Sequence, residues 1–128
     1  MQKVTIHAEN APKAVGPYSQ GIKLGDLLFL SGQIPINPQN SQISGNSIKE
    51  QAVQVLDNIK AVLESQGLGM SDIIKTTVYM KSLADFAEFN EIYAAYFSEP
   101  YPARSCVEVS RLPKNALVEI EAIAAAKQ

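Results

Sequence analysis

Two periodicities run through the chain, and between them they predict its elements. Side chains repeating every second residue mark strands; apolar residues at three- and four-residue spacing mark helices. Lys3 to Ile6 is short and β-prone. Gly21 to Leu24 and Leu27 to Ser31 predict two strands joined through Gly25-Asp26, with glycine where a type II′ hairpin turn needs it. Leu27-Leu28-Phe29-Leu30 is apolar at every position, which predicts a strand covered on both faces. It runs into Ser31-Gly32-Gln33-Ile34-Pro35, where Gly32 permits close backbone approach. Ala11-Pro12 and Gly16-Pro17 punctuate a loop that presents Tyr18, either to a ligand or to the sheet edge. Asn37 to Ser41 is an exposed turn.

Ser47 to Gln66 predicts the clearest helix. Ser47 and Glu50 form a capping box, and Ile48, Ala52, Val55, Leu56, Ile59, Val62 and Leu63 make the apolar stripe. Lys49, Gln54, Asn58 and Glu64 form its polar face, and Gly67 stops it. Ile73 to Met80 is a β-branched strand. A second helix starts near Ser82 and Asp85 and carries Phe86, Phe89, Tyr93, Tyr96 and Phe97 to about Ser98. Pro100 and Pro102 end it.

The last two alternating runs matter most. In one, Ala103, Ser105, Val107 and Val109 oppose Arg104, Cys106 and Glu108. In the other, Val118, Ile120, Ala122 and Ala124 oppose Leu117, Glu119, Glu121, Ile123 and Ala125. If these strands pair with their Val/Ile/Ala faces together, Arg104, Cys106 and Glu119 share the opposite face. The element order is then β-β-β-α-β-α-β-β. It predicts one α+β domain over 1–128, with a single sheet and two helices packed on one face. No third helix remains for the other face, so the sheet is expected to pack against copies of itself.

Composition narrows the function. The 128 residues suit one domain with one core. Eleven Lys and Arg against thirteen Asp and Glu leave a net charge of −2. That argues against a dedicated nucleic-acid binder, while leaving weak RNA contacts open. A single cysteine forms no internal disulfide and fits a reducing compartment. No signal peptide and no stretch of the roughly 20 apolar residues that span a bilayer is evident, so a soluble cytoplasmic protein is the expectation.

Arg104 offers a planar fork for a carboxylate, and Glu119 offers an acceptor for a proton or a water. That pair suggests a site for a small carboxylate, although an ion pair on a solvated sheet face fits the same periodicity. Cys106 as a nucleophile would want a base, and the one histidine, His7, is distant in sequence. One Cys and one His do not make a structural zinc site, so no metal or other cofactor is expected. Asn90 and Asn115 are further polar candidates. No phosphate-loop or dinucleotide-binding glycine motif is present.

Pro102-Ala103-Arg104-Ser105-Cys106-Val107-Glu108-Val109, then Arg111-Leu112-Pro113 and Glu119-Ile120-Glu121, resemble the motifs of the RidA (YjgF/L-PSP) family. Gly16-Pro17-Tyr18-Ser19-Gln20-Gly21 and Ser31-Gly32-Gln33-Ile34-Pro35 match others. So do Lys75-Thr76-Thr77-Val78 and Asp85-Phe86-Ala87 with Asn90, so the likeness covers nearly the whole chain. The resemblance implies a chorismate-mutase-like fold and a homotrimer whose sheets line a central barrel, with a site in each cleft between neighbours. It implies an enamine/imine deaminase that converts 2-imino acids released by pyridoxal-phosphate enzymes into 2-oxo acids and ammonia. By position, Arg104 would bind the carboxylate and Glu119 would activate water. Tyr18, Ser31, Gly32, Asn90 and Cys106 would line the pocket. Regulatory carboxylate binding without turnover, and endoribonuclease or translation-inhibitor activity, are the alternatives that the resemblance leaves open.

Overall fold

The computed structural model describes residues 1–126. Six strands form one sheet in the order β1 (Lys3–Ile6), β2 (Gly21–Leu24), β3 (Leu27–Gln33), β8 (Val118–Ala125), β6 (Ile73–Met80) and β7 (Ala103–Glu108). All neighbours are antiparallel except β6 and β7. Those two run parallel because helix α2 (Phe86–Tyr96) carries the chain back between them. A small hairpin of β4 (Ile36–Asn37) and β5 (Gln42–Ile43) closes the turn expected at 37–41. The sheet does not close on itself within the chain.

Helix α1 (Ile48–Glu64) and α2 cover one face of the sheet. Ser47 caps α1, its Oγ accepting from the Glu50 N–H at 3.1 Å, a contact worth about 1 kcal/mol. Gly67, at φ +73°, turns the chain so that the Leu68 N–H donates to the Leu63 carbonyl at 3.0 Å. Val55, Leu56, Ile59, Val62 and Leu63 are almost completely buried against Leu28, Val78, Val118 and Ile120 of the sheet. Each such side chain contributes about 1.5–3 kcal/mol of burial, which outweighs any cap. Asn58 belongs to this buried side and not to the solvated face its spacing suggested. Its Nδ2 donates to the carbonyls of Ile34 and Ile36, at 3.3 and 2.9 Å, and anchors the chain after β3.

The strand pairing corrects two expectations. β7 and β8 are not neighbours, because β6 lies between them. Arg104 pairs with Thr76, and Thr76 with Ala122, all on the helix side; Val107 pairs with Tyr79, and Tyr79 with Glu119, all on the open side. Arg104 and Glu119 of one chain therefore do not share a face. Cys106 also faces the helices and packs against the core, as does Leu117 just before β8. Strand β3 is covered on one face only. Leu28 and Leu30 are buried, while Leu27 and Phe29 are 38% and 41% exposed.

Candidate functional site

On the helix side, β7 and α2 gather a cluster of side chains around Arg104. Phe86, Asn90 and Tyr93 stand on one stripe of α2, at spacings of four and three. The Arg104 Nη1 donates to Asn90 Oδ1 at 2.6 Å. Its guanidinium carbon lies 4.8 Å from the Tyr93 ring centroid and 5.4 Å from that of Phe86. No carboxylate among the described residues pairs with Arg104. A half-buried guanidinium stacked on two rings but lacking a counter-ion is equipped for an external anion. Cys106 lies two residues along the same face. Burial pushes its thiol up, with the Arg104 charge pulling weakly the other way, so it is a poor source of thiolate.

On the open side, β3 and β8 build a second cluster. Leu30 pairs with Ala122 and Gln33 with Ile120, so Ser31 and Gly32 together oppose a single residue, a β-bulge. The bulge brings Gly32 under Glu119. A Cβ on residue 32 would run into the Glu119 carboxylate and come within 3.0 Å of its Cδ and 3.2 Å of its Cγ. Glycine is therefore required here by contact, not by backbone angle. The Ser31 Oγ donates to the Ser19 carbonyl at 2.6 Å, tying the bulge to the loop that carries the exposed Tyr18. Burial, and then the neighbouring Glu121 charge, push the Glu119 carboxyl above the usual carboxylate range. The Tyr79 hydroxyl, beside it on β6, donates to Glu121 at 3.4 Å and not to Glu119. Glu119 is thus a half-buried base with no donor among the described residues.

The expected residues divide into two groups. Arg104, Asn90 and Cys106 come together on the helix side, and Glu119, Gly32, Ser31 and Tyr18 on the open side. Asn115 joins neither, its Oδ1 accepting from the Arg111 Nε at 3.4 Å on the loop before β8. His7 lies beside Glu9, Lys13 and Gln20 in a separate hollow. Thr76, Phe86 and Tyr93 were not singled out as site residues. The three- and four-residue spacing of 86, 90 and 93 carried the signal, but it reads equally as core. Among the described residues no three His, Cys, Asp or Glu side chains converge on a metal position, and no helix is long and apolar enough to cross a membrane.

Comparison with known proteins agrees with the motifs. The 2-iminobutanoate/2-iminopropanoate deaminase of Escherichia coli is 54% identical over 123 residues, covering 94% of this chain and 95% of that protein. A member of the Rid protein family from Yersinia pestis superposes with a TM-score of 0.95 at 49% identity, covering 98% of this chain and 100% of the other. The crystal structure of E. coli TdcF with bound serine gives a TM-score of 0.91 at 47% identity, covering 97% and 99%. The family model described as Endoribonuclease L-PSP matches residues 8–126, and the chain belongs to that family, the RidA (YjgF/L-PSP) proteins whose motifs it carries.

Proposed function

We propose that this protein is an enamine/imine deaminase that hydrolyses 2-iminobutanoate and 2-iminopropanoate to 2-oxo acids and ammonia. One observation carries the reading. Among the described residues, the guanidinium on one face of the sheet has no counter-ion and the Glu119 carboxylate on the other has no donor. Each is half of a site for a small molecule bearing a carboxylate and an electrophilic carbon. The halves meet only if a second copy brings its Glu119 cluster against the Arg104 cluster of the first.

The assembly is a homotrimer, with the sheets lining a central barrel and a site in each cleft. The exposed Leu24, Leu27, Phe29 and Val107 on the open face support it. Arg104 holds the substrate carboxylate. Glu119 of the adjacent copy orients a water against C2. The water oxygen bonds to C2 as its proton passes to Glu119, giving a tetrahedral carbinolamine. Glu119 returns that proton to nitrogen, and the C–N bond breaks with its electron pair leaving on ammonia as the hydroxyl oxygen forms the C=O bond. The hydroxyl proton passes to Glu119 and on to the departing ammonia, leaving a 2-oxo acid. A protonated imine is already a strong electrophile, so positioning and charge placement suffice without a cofactor. A carboxyl pushed up by burial is also a better base than an exposed one. In this reading the protein works in the cytoplasm, beside the pyridoxal-phosphate enzymes that release imines.

The serine held by TdcF favours a second reading, in which the site binds small carboxylates without turnover. The ribonuclease in the family's description finds less support, since the net charge is −2 and the lone His7 lies in a hollow apart from both clusters. A coupled assay decides. Threonine dehydratase generates 2-aminocrotonate, and the appearance of 2-oxobutanoate is followed with and without this protein. Acceleration that Arg104→Ala abolishes in a folded protein is expected. Tight carboxylate binding with no acceleration would select the second reading.

A further inference from the structure

Resting on Arg104 as the carboxylate-binding group, we propose that Tyr93 is the positioning residue that aims its fork, pinned in place by Thr76. Thr76 and Arg104 are cross-strand partners in the parallel β6–β7 pair, so their side chains rise next to each other toward α2. Tyr93 spans both. Its hydroxyl shares a hydrogen bond with Thr76 Oγ1 at 2.8 Å, and its ring lies 4.8 Å from the Arg104 guanidinium carbon. Thr76 is fully buried and Tyr93 is 5% exposed. The ring also packs against Phe97 and Phe89, at centroid distances of 4.4 and 5.7 Å, and these contacts together with its burial restrict its movement.

The arrangement acts on the fork. A free arginine samples many rotamers, and binding a carboxylate must freeze them. Here the Tyr93 face fixes the guanidinium plane, and Asn90 engages Nη1. The Nε–Nη2 edge is left without an acceptor among the described residues, and that edge fits a carboxylate through two parallel hydrogen bonds. Tyr93 need not touch the substrate. The Thr76 hydroxyl matters because, among the described residues, it is the hydrogen-bond partner of the Tyr93 hydroxyl and so sets the ring's tilt.

The test uses the assembled protein and 2-oxobutanoate as the probe. Tyr93→Leu should weaken 2-oxobutanoate binding by between about twofold and thirtyfold, the range of a partly desolvated cation–π contact. It should raise KM by a similar factor and change kcat less. Tyr93→Phe keeps the ring and should retain most of the affinity. Thr76→Val, which is nearly isosteric, should cause a small loss that Tyr93→Phe does not increase further. In NMR spectra of the free protein, the Arg104 Nε–H proton should be shifted upfield by the ring, in wild type and Tyr93→Phe but not in Tyr93→Leu. Wild-type affinity in a folded Tyr93→Leu protein, or equal losses from Phe and Leu, would overturn the proposal. Additive losses from Thr76→Val and Tyr93→Phe would overturn the pinning. If Arg104→Ala left 2-oxobutanoate binding unchanged, the carboxylate reading itself would fall, while the NMR shift would still decide whether Tyr93 holds the fork.

Discussion

Arg104 and Glu119 of one chain sit on opposite faces of the same sheet, with strand β6 between them. They are also offset by three residues along the strands, about 10 Å. If both serve one reaction, they must come from different copies. The clean check is complementation. Arg104→Ala and Glu119→Gln proteins, each inactive alone, are unfolded together and refolded as a mixture. A shared site predicts recovery of about a quarter of wild-type activity at equal mixing, since random assembly in a closed ring restores that fraction of Arg104/Glu119 pairs. A site contained in one chain predicts none.

Gly32 should be as sensitive as either charged residue. In Gly32→Ala the new methyl group occupies the space of the Glu119 carboxylate, which must rotate away. Residue 32 is not among those with a positive φ, so the substitution does not strain the backbone. Turnover should fall at least about tenfold while stability changes by no more than about 1 kcal/mol. Activity near wild type would mean that Glu119 does not act from the position it holds here.

Much of the fold is legible in the sequence because the strong periodicities lie where burial is deepest. The α1 stripe, the Ile73–Met80 strand and the aromatic spacing of α2 all describe residues that pack on the core. The partnership of β7 is not legible. As an edge strand it buries little on either side, so Ala103, Ser105 and Val107 look like an inward face although they are exposed. Alternation gives two faces per strand but not which one meets the helices; pairing decides that, and one misassigned neighbour turned Arg104 and Glu119 onto a common face. The individual candidate residues are recognisable from their motifs. Their separation onto two faces of the sheet, and with it the role proposed for Tyr93, require the register.

Glu119 should leave a signature in stability against pH. Burial, then Glu121, raises its carboxyl in the folded chain above its value in the unfolded one. Such a group favours folding below the ordinary carboxylate range, about pH 4.3, and that contribution is lost as pH rises through the raised folded value. At neutral pH the ionised carboxylate therefore disfavours folding. On an Arg104→Ala background, where no neighbouring guanidinium offsets it, Glu119→Gln should raise Tm at pH 7, with the gain vanishing below about pH 4. Glu121→Gln in the otherwise native protein removes the like charge and should move the acidic limb of turnover to lower pH. An unmoved limb would show that Glu121 does not tune Glu119.

Cys106 is expected to be dispensable for chemistry. Its thiol is pushed up by burial and packs against the core, the opposite of an activated nucleophile. Cys106→Ser and Cys106→Ala should keep kcat within about threefold of wild type, with any change appearing mainly in KM. Dialysis against a chelator should be equally silent. A folded but inactive Cys106→Ala, together with a covalent substrate adduct on Cys106 seen by mass spectrometry, would replace water attack with thiol attack.

The open face of the sheet gives the last prediction. Ile22, Leu24, Leu27 and Phe29 stand on it beside Ile123 and Ala125, and no helix or strand among the described residues covers them. Leu24, Leu27 and Phe29 keep about two-fifths of their surface exposed, a patch that water disfavours and another copy would bury. Sedimentation equilibrium should give about three times the 13.9 kDa chain mass. Phe29→Glu would place a charge in that contact, at a cost of several kcal/mol per copy if it stayed buried. Because Phe29 points away from Leu28 and the helix-side core, the variant should keep its fold, checked by circular dichroism, while mass and activity fall together. Concentrating the variant should restore both in parallel. A Phe29→Glu protein that sediments as a monomer and deaminates at the wild-type rate would show that each chain holds a complete site, and the division of Arg104 and Glu119 between copies would have to be abandoned.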